Sequence, residues 1–437
     1  MIHSCRRRCM RILGYYSRNI RTTSLMHDRK VVPSFDRRSI LLNFQPHYST
    51  TTTLPSPAPS PTPAKSPVRV VVVGSGAIGL TYGGRLLEAE LETRTDLCVE
   101  FIARRDYYFL QEHGYTLNSP DGSVSFAPRD LVGKVHQTAS TIDVPSRGVD
   151  WILCCVKSYA FRDLKLRELL GDLVGPSTRI LLIMNGLHCE QAIKDWFGAH
   201  RVYVGMAFTC INRHSPREGT QPEGGVLVNH LAFGSLLVGH CLDDDDKLSK
   251  LATLWKGTKI AHKVTVTESL RQSQWRKLCW NLPFSGLSVV LGGISTQTIA
   301  SDPNLRRLAH GILTETIDLA NADLAHHHTT HASTQSKRKL ILIDKDAAIE
   351  QCWQLTDTMG PYVTSTVLDL VAGNMLETEY IFDEPLRHAR HLADLGLGGP
   401  YPGIEHVVQL VHAISNIAEE KKRLGIPWAP THLPPSP

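Results

Sequence analysis

The sequence predicts an α/β fold whose N-terminal half is a doubly wound, mainly parallel sheet and whose C-terminal half is all α-helical. Three observations lead there. Apolar, β-branched runs alternate with helix-length stretches from residue 68 to about 200. The first run, VRVVVV at residues 68–73, feeds a turn, Gly74-Ser75-Gly76-Ala77-Ile78-Gly79, that opens straight into LTYGGRLLEAE. From Glu268 onward, helix-period stretches follow one another with few β-rich runs.

Taken in order, VRVVVV, LCVEFIA, DWILCCV and TRILLIM read as parallel strands. Between the second and third, GYTLNSPDGSVSF reads as a hairpin around Asp121-Gly122. Beyond residue 200, RVYVGMAFTCI and GVLVNHLAFGSLLVG extend the sheet, the latter interrupted at Asn229-His230, and KIAHKVTV is its last strand. Helices are expected over LRQSQWRKLCWNLPFSGLSVVL, PNLRRLAHGILTETIDLANADL, KLILIDKDAAIEQCWQL and YPGIEHVVQLVHAISNIAEEKK, with breaks at Gly292-Gly293 and at a His-rich loop. The resulting plan is a segment outside the fold at 1–67, a sheet domain at 68–267, a helical domain at 268–428 and a disordered tail at 429–437.

The glycine turn has the spacing of a pyrophosphate cradle. Gly74 permits the tight turn out of the strand, Gly76 lets the backbone approach the phosphate oxygens, and Gly79 lets the helix lie close to the strand. The free N–H groups of Ala77, Ile78 and Gly79, with Ser75 beside them, face the anion at the positive end of the helix. The N-terminal half is therefore read as a Rossmann-type dinucleotide-binding domain. At the end of LCVEFIA, where an acid would read an unphosphorylated ribose, stand Arg104-Arg105, whose planar guanidinium groups suit a 2′-phosphate. Glu100 lies inside the strand pattern. The cofactor expected is NADPH/NADP in preference to NADH.

The chain's net charge of +5 is set by its N-terminus, since residues 1–67 hold eleven Lys+Arg and only Asp28 and Asp36. The remainder carries 36 basic and 40 acidic residues, which gives no case for nucleic-acid binding. SCRRRCMRILGYYSRNIRTTS has the Arg- and Ser-rich, acid-poor composition of a mitochondrial transit peptide; the alternative is a basic arm on a cytoplasmic enzyme. A Ser/Thr/Pro linker follows it. No apolar run approaches the roughly 20 residues of a membrane helix, so no membrane partner is expected. Ten cysteines lie scattered without C-x-x-C or zinc spacing, and Cys154-Cys155 read as buried thiols in a reducing compartment. His326-His327-His328 with His331 lack carboxylates and a second ligand cluster, so no metal is expected.

Four residues of the helical half could carry chemistry. Lys277 and Asn281 are four apart and share a helix face, Ser365 starts one segment, and Glu377 lies near the start of the next. Converging on a nicotinamide, they would suffice to hold and reduce a small keto acid. Taken singly, each also reads as an ordinary helix surface group, with Glu377 a first-turn acid favoured by the dipole.

The order of these pieces resembles the ketopantoate reductase (2-dehydropantoate 2-reductase) family over residues 68–425. GSGAIG, CVKSYA with Lys157, MNGLHCE with Asn185-Gly186, WRKLCWN with Lys277 and Asn281, and TSTVLDLVAGNMLETE with Ser365 and Glu377 carry the resemblance. It implies that Lys277 hydrogen-bonds the ketone oxygen as general acid and that Glu377 orients substrate and lysine. It also implies that Asn281 and Ser365 hold substrate oxygens, and that Lys157 and Asn185 line the cleft for cofactor and substrate. Two positions depart from the family pattern. Ser285 stands in the register of a second asparagine, and Glu377-Thr378-Glu379 with Phe382-Asp383 replaces Glu-x-Asp and Asn-Gly, altering the substrate pocket near Phe382. The implied activity is NADPH-dependent reduction of 2-dehydropantoate to pantoate, in the pathway to pantothenate and coenzyme A, with a homodimer left open. The alternatives are a reductase of another 2-keto acid or bulkier ketone, and a catalytically inactive NADP-binding regulatory protein. The joint presence of Lys277, Asn281 and Glu377 argues against the last.

Overall fold

The computed structural model describes residues 66–214, 225–331 and 340–428. The expected targeting segment and linker, except residues 66–67, and the tail from 429 lie outside the described residues.

β1 (Val68–Val73) is buried from Val70 onward, because it lies in the middle of a sheet covered on both faces. It pairs in parallel with β2 (Leu97–Ile102) on one side and β6 (Trp151–Cys154) on the other. Around this centre the ten strands run in the order β4-β3-β9-β8-β7-β6-β1-β2-β5, with β10 (Val264–Val266) beside β9. β5 is Val135–His136, β7 is Arg179–Ile183, and the hairpin expected at Asp121-Gly122 joins β3 (Tyr115–Asn118) to β4 (Val124–Phe126). Helices α1 (Ala77–Glu92), α2 (Tyr107–His113), α3 (Leu164–Gly171), α4 (Gln191–Phe197) and α5 (Asp245–Leu254) belong to this half.

Two long antiparallel strands, β8 (Val202–His214) and β9 (Val226–His240), complete the sheet. The interruption expected at Asn229-His230 is absent, because both polar side chains are satisfied within the sheet. Asn229 Oδ1 accepts from Asn118 Nδ2 at 3.1 Å, and His230 Nδ1 lies 2.9 Å from Ser119 Oγ. The irregularity instead takes the form of register shifts at Phe208/Thr209 and Cys210/Ile211. KIAHKVTV contributes only its last three residues as strand, since Ala261–Lys263 forms a 3₁₀ turn.

The helical half starts at Ser269, whose hydroxyl caps α6 (Leu270–Trp280) by accepting from Gln272 N. A π-helical turn, Asn281–Ser285, follows and leads into α7 (Gly286–Val290). Pro283 has no N–H to continue the α-helical ladder, and the turn widens around it. The axis of the domain is α8 (Pro303–His331), with α9 (Lys345–Met359), α10 (Ser365–Val371), α11 (Glu384–Asp394) and α12 (Pro402–Arg423) packed about it. Of the His-rich loop expected beyond residue 324, residues 326–331 are instead the end of α8, continuous with a face whose Leu319, Ala320 and Leu324 are buried, and the remainder at 332–339 lies outside the described residues. α9 begins later than the pattern suggested. Residues 340–343 stay extended because Asn321 both accepts from Ile343 N and donates to Ile343 O, and Asp344 caps the helix.

Candidate active site

The parallel registers align Val73, Ile102, Cys154 and Leu182 at one level, so the segments after β1, β2, β6 and β7 emerge together at the carboxyl edge of the sheet. In open α/β sheets this edge is where ligands bind. Each glycine of the turn there meets a distinct demand. Gly74 has φ +107°, and a Cβ on it would lie 2.8 Å from Cys155 O. At Gly79 a Cβ would overlap the Gly74 carbonyl. A Cβ on Gly76, by contrast, would meet no atom within 4 Å, which leaves an open space over the N-terminus of α1. The residues present thus fit a pyrophosphate: a glycine-lined space, unpaired first-turn N–H groups and the positive end of a 16-residue helix. Arg104 and Arg105 are exposed just beyond β2, Arg104 lying 3.8 Å from Asp163.

Across the edge the helical half supplies charge. Lys157, after β6, donates to Glu377 Oε2 at 2.7 Å and to Asp369 Oδ2 at 2.8 Å. Glu377 Oε1 also accepts from Ser158 N at 2.9 Å. Burial disfavours the Lys157 ammonium, but Glu377 and Asp369 outweigh it and raise its pKa. Asn185 follows β7, and Gly186, at φ +119°, packs so closely on the 380 backbone that a Cβ would come within 2.6 Å of Tyr380 O. Leu187 N donates to that same carbonyl at 2.8 Å.

Lys277, near the end of α6, donates to Ala207 O on β8 at 2.8 Å and lies 4.2 Å from the centre of the Phe208 ring. Burial pushes its ammonium down to about 8, against a smaller opposing effect of Cys210. One helical turn on, Asn281 is buried where α6 gives way to the π turn, and Ser285 is buried at the far end of that turn. Neither side chain hydrogen-bonds to another among the described residues. Ser365 is exposed at the first position of α10.

Two residues that the resemblance joined have different hydrogen-bond partners here. Glu377 engages Lys157, and Lys277 rests on a main-chain carbonyl. Phe382 is fully buried in the helical core, with its ring 3.4 Å from the position of a Cβ on Gly286, so it does not line an open pocket. Asp369 was missed in the sequence. Its signal was an acid four residues after Ser365, on the same helix face and within an apolar run.

Deeper at the domain junction, His188, at φ +55°, has Nδ1 2.9 Å from Glu384 Oε1 and Nε2 2.8 Å from Arg271 Nη1. His388 lies 3.0 Å from Asp323 Oδ1, and Arg271 grips Asp323 with two bonds of 2.6 Å. His188, Glu384 and His388 are close enough to suggest a metal site. Arginine can only donate, however, so His188 Nε2 accepts and Nδ1 carries the proton given to Glu384. That tautomer has no lone pair left for a cation.

A glycine cradle at the carboxyl edge of a parallel sheet, together with a buried lysine that the helical half lays against strand β8, marks an oxidoreductase of the dinucleotide-binding type. Family profiles agree. Ketopantoate reductase PanE/ApbA matches residues 70–233, and its C-terminal counterpart matches residues 269–415. The chain belongs to the ketopantoate reductase family. A 2-dehydropantoate 2-reductase of Nostoc sp. is 24% identical over 330 residues, 74% of this chain and 89% of the relative. The crystal structure of 2-dehydropantoate 2-reductase from Geobacter metallireducens superposes with a TM-score of 0.63 at 29% identity, covering 79% of this chain and 99% of that one. D-mandelate dehydrogenase, solved with NADH and anilino(oxo)acetate, superposes with a TM-score of 0.61 at 19% identity, covering 80% and 99%, and shares the fold. Among the described residues, no helix is long and apolar enough to cross a membrane.

Proposed function

We propose that this protein reduces 2-dehydropantoate to pantoate with NADPH. The observation that carries the reading is Lys277: an ammonium on a helix of one domain, depressed to about 8 by burial, lodged against the sheet domain that holds the glycine cradle. Gly74 to Gly79 would hold the pyrophosphate, Arg104 and Arg105 the 2′-phosphate, and Asn185 the nicotinamide side of the cleft. When bound, the dinucleotide supplies a hydride to the ketone carbon. Negative charge then develops on the ketone oxygen, and Lys277, exchanging Ala207 O for that oxygen, donates its proton there. Asn281 and Ser285, buried without side-chain partners among the described residues, hold substrate oxygens, and Ser365 closes the site from α10. Lys157, held by Glu377 and Asp369, fixes the two domains about the substrate.

The test is NADPH oxidation by the purified protein with 2-dehydropantoate. Turnover supports the reading, and binding of NADPH without turnover on any 2-keto acid overturns it in favour of an inactive binding protein. A second reading, another 2-keto acid or a bulkier ketone as substrate, is favoured by Ser285, whose single hydroxyl replaces an amide's two hydrogen-bonding groups. A panel of keto acids separates the two. We further infer from composition that residues 1–67 direct the protein to mitochondria, which a reporter fusion of that segment checks.

A further inference from the structure

Ser75, inside the glycine turn, donates its hydroxyl proton to Asp106 Oδ2. The other carboxylate oxygen of Asp106 lies 2.9 Å from Nη2 of Arg213, an arginine near the end of β8. Arg213 is distant in sequence, yet its contact with Asp106 brings it beside the residue that directly follows the exposed Arg104-Arg105 pair. Its side chain is 21% exposed; Nη2 faces Asp106, and Nε is buried with no hydrogen-bond partner. A guanidinium with a buried N–H still lacking an acceptor at this corner is a place for an anion.

The acid at the same corner is already engaged. An aspartate that reads the hydroxyls of an unphosphorylated ribose must offer free carboxylate oxygens. Here a hydroxyl holds one oxygen and a guanidinium the other. A phosphate on the ribose would need neither oxygen and would give Arg213 the acceptors it lacks.

We propose that Arg213 is a cofactor-selectivity residue: clasped by Asp106 beside Ser75, it reads the 2′-phosphate from strand β8, opposite Arg104 and Arg105. The inference rests on the NADPH reading above. It also gives Asp106 a defined part, orienting the guanidinium and withholding itself from the ribose.

The test measures Kd for NADPH and for NADH by nicotinamide fluorescence, using the full chain as wild type, Arg213→Ala, Arg213→Lys and Asp106→Asn, each checked for folding by its thermal melt. Arg213→Ala should raise Kd for NADPH at least about tenfold while leaving Kd for NADH nearly unchanged, and Arg213→Lys should recover part of the loss, as a charge without a planar fork would. Asp106→Asn, which removes the carboxylate that orients Arg213, should weaken NADPH binding while leaving Kd for NADH nearly unchanged. Equal weakening toward both cofactors, or an unchanged preference for NADPH in Arg213→Ala where the wild type prefers NADPH, overturns the role of Arg213 alone. A wild type that binds NADH as tightly as NADPH defeats the underlying NADPH reading and the inference with it. Should Arg213→Ala not fold, the Lys and Asn variants decide by the same criteria.

Discussion

Lys277 sits between two demands: burial, which lowers its affinity for a proton, and the need to hold that proton until hydride arrives. With its pKa at about 8, kcat/KM for keto-acid reduction should fall as pH rises through that value, because the acid form is lost; a rate profile from pH 6 to 10 checks this. Lys277→Ala should lower turnover by about 10²- to 10⁴-fold, the usual worth of a general acid, while Kd for NADPH stays near that of the wild type. Equal loss of both would assign the lysine to binding. Its residue type and spacing were readable in WRKLCWN, whereas its contact with Ala207, 70 positions away, was not. The same holds for Glu377. The acid itself was legible, but its partner Lys157 lies 220 residues earlier, and only the folded chain brings the two together.

At the scale of elements, what the sequence disclosed were features with local causes. The glycine turn could be read because its demands, a positive φ at Gly74 and missing Cβ atoms, act within a few residues. The π turn in the middle of the lysine-bearing helix was hidden in a pattern that still looked helical, and Pro283 was its one local mark. The His-rich end of α8 was misread as a loop because histidine is a middling helix former, and packing on the buried face of α8 overrode that weak preference. Asp323, on the same helix, accepts from Arg271 and from Trp275 Nε1 and is almost fully buried. Its carboxyl is held well below the usual range; burial opposes this, but His388 and Arg271 outweigh it. Asp323→Ala leaves Arg271 without its buried partner and should destabilise the protein by about 3–5 kcal/mol in urea unfolding. A loss of only a few tenths would show that water reaches the site.

For the molecule as a whole, one stretch, residues 369–388, receives most of the polar contacts that bind the helical half to the sheet half. Asp369 and Glu377 take Lys157, Glu379 takes Arg162, Tyr380 O takes Leu187 N, and Glu384 takes His188. His388 joins this set facing Asp323 from α8, Glu384 from its own helix, Arg271 from α6 and His188 from the turn after β7, with Arg387 on the outer side of Glu384. Burial would lower the His388 pKa, but Asp323 and Glu384 raise it above 6.5. A raised folded pKa means stability that is fully present below the unfolded value and lost as pH rises through the folded one. Thermal melts should therefore show the domain junction weakening from pH 6 toward pH 9, and His388→Gln should flatten that slope. A slope unchanged in the variant would place its origin elsewhere.

The proposed function turns on the lysine of the helical domain protonating a ketone reduced by the dinucleotide of the sheet domain. It is tested most directly by following NADPH consumption with 2-dehydropantoate in wild type and Lys277→Ala side by side, with NADPH affinity measured on the same preparations. Turnover is expected in the wild type, with its collapse in the variant at nearly equal cofactor affinity. Undiminished turnover in Lys277→Ala would contradict it.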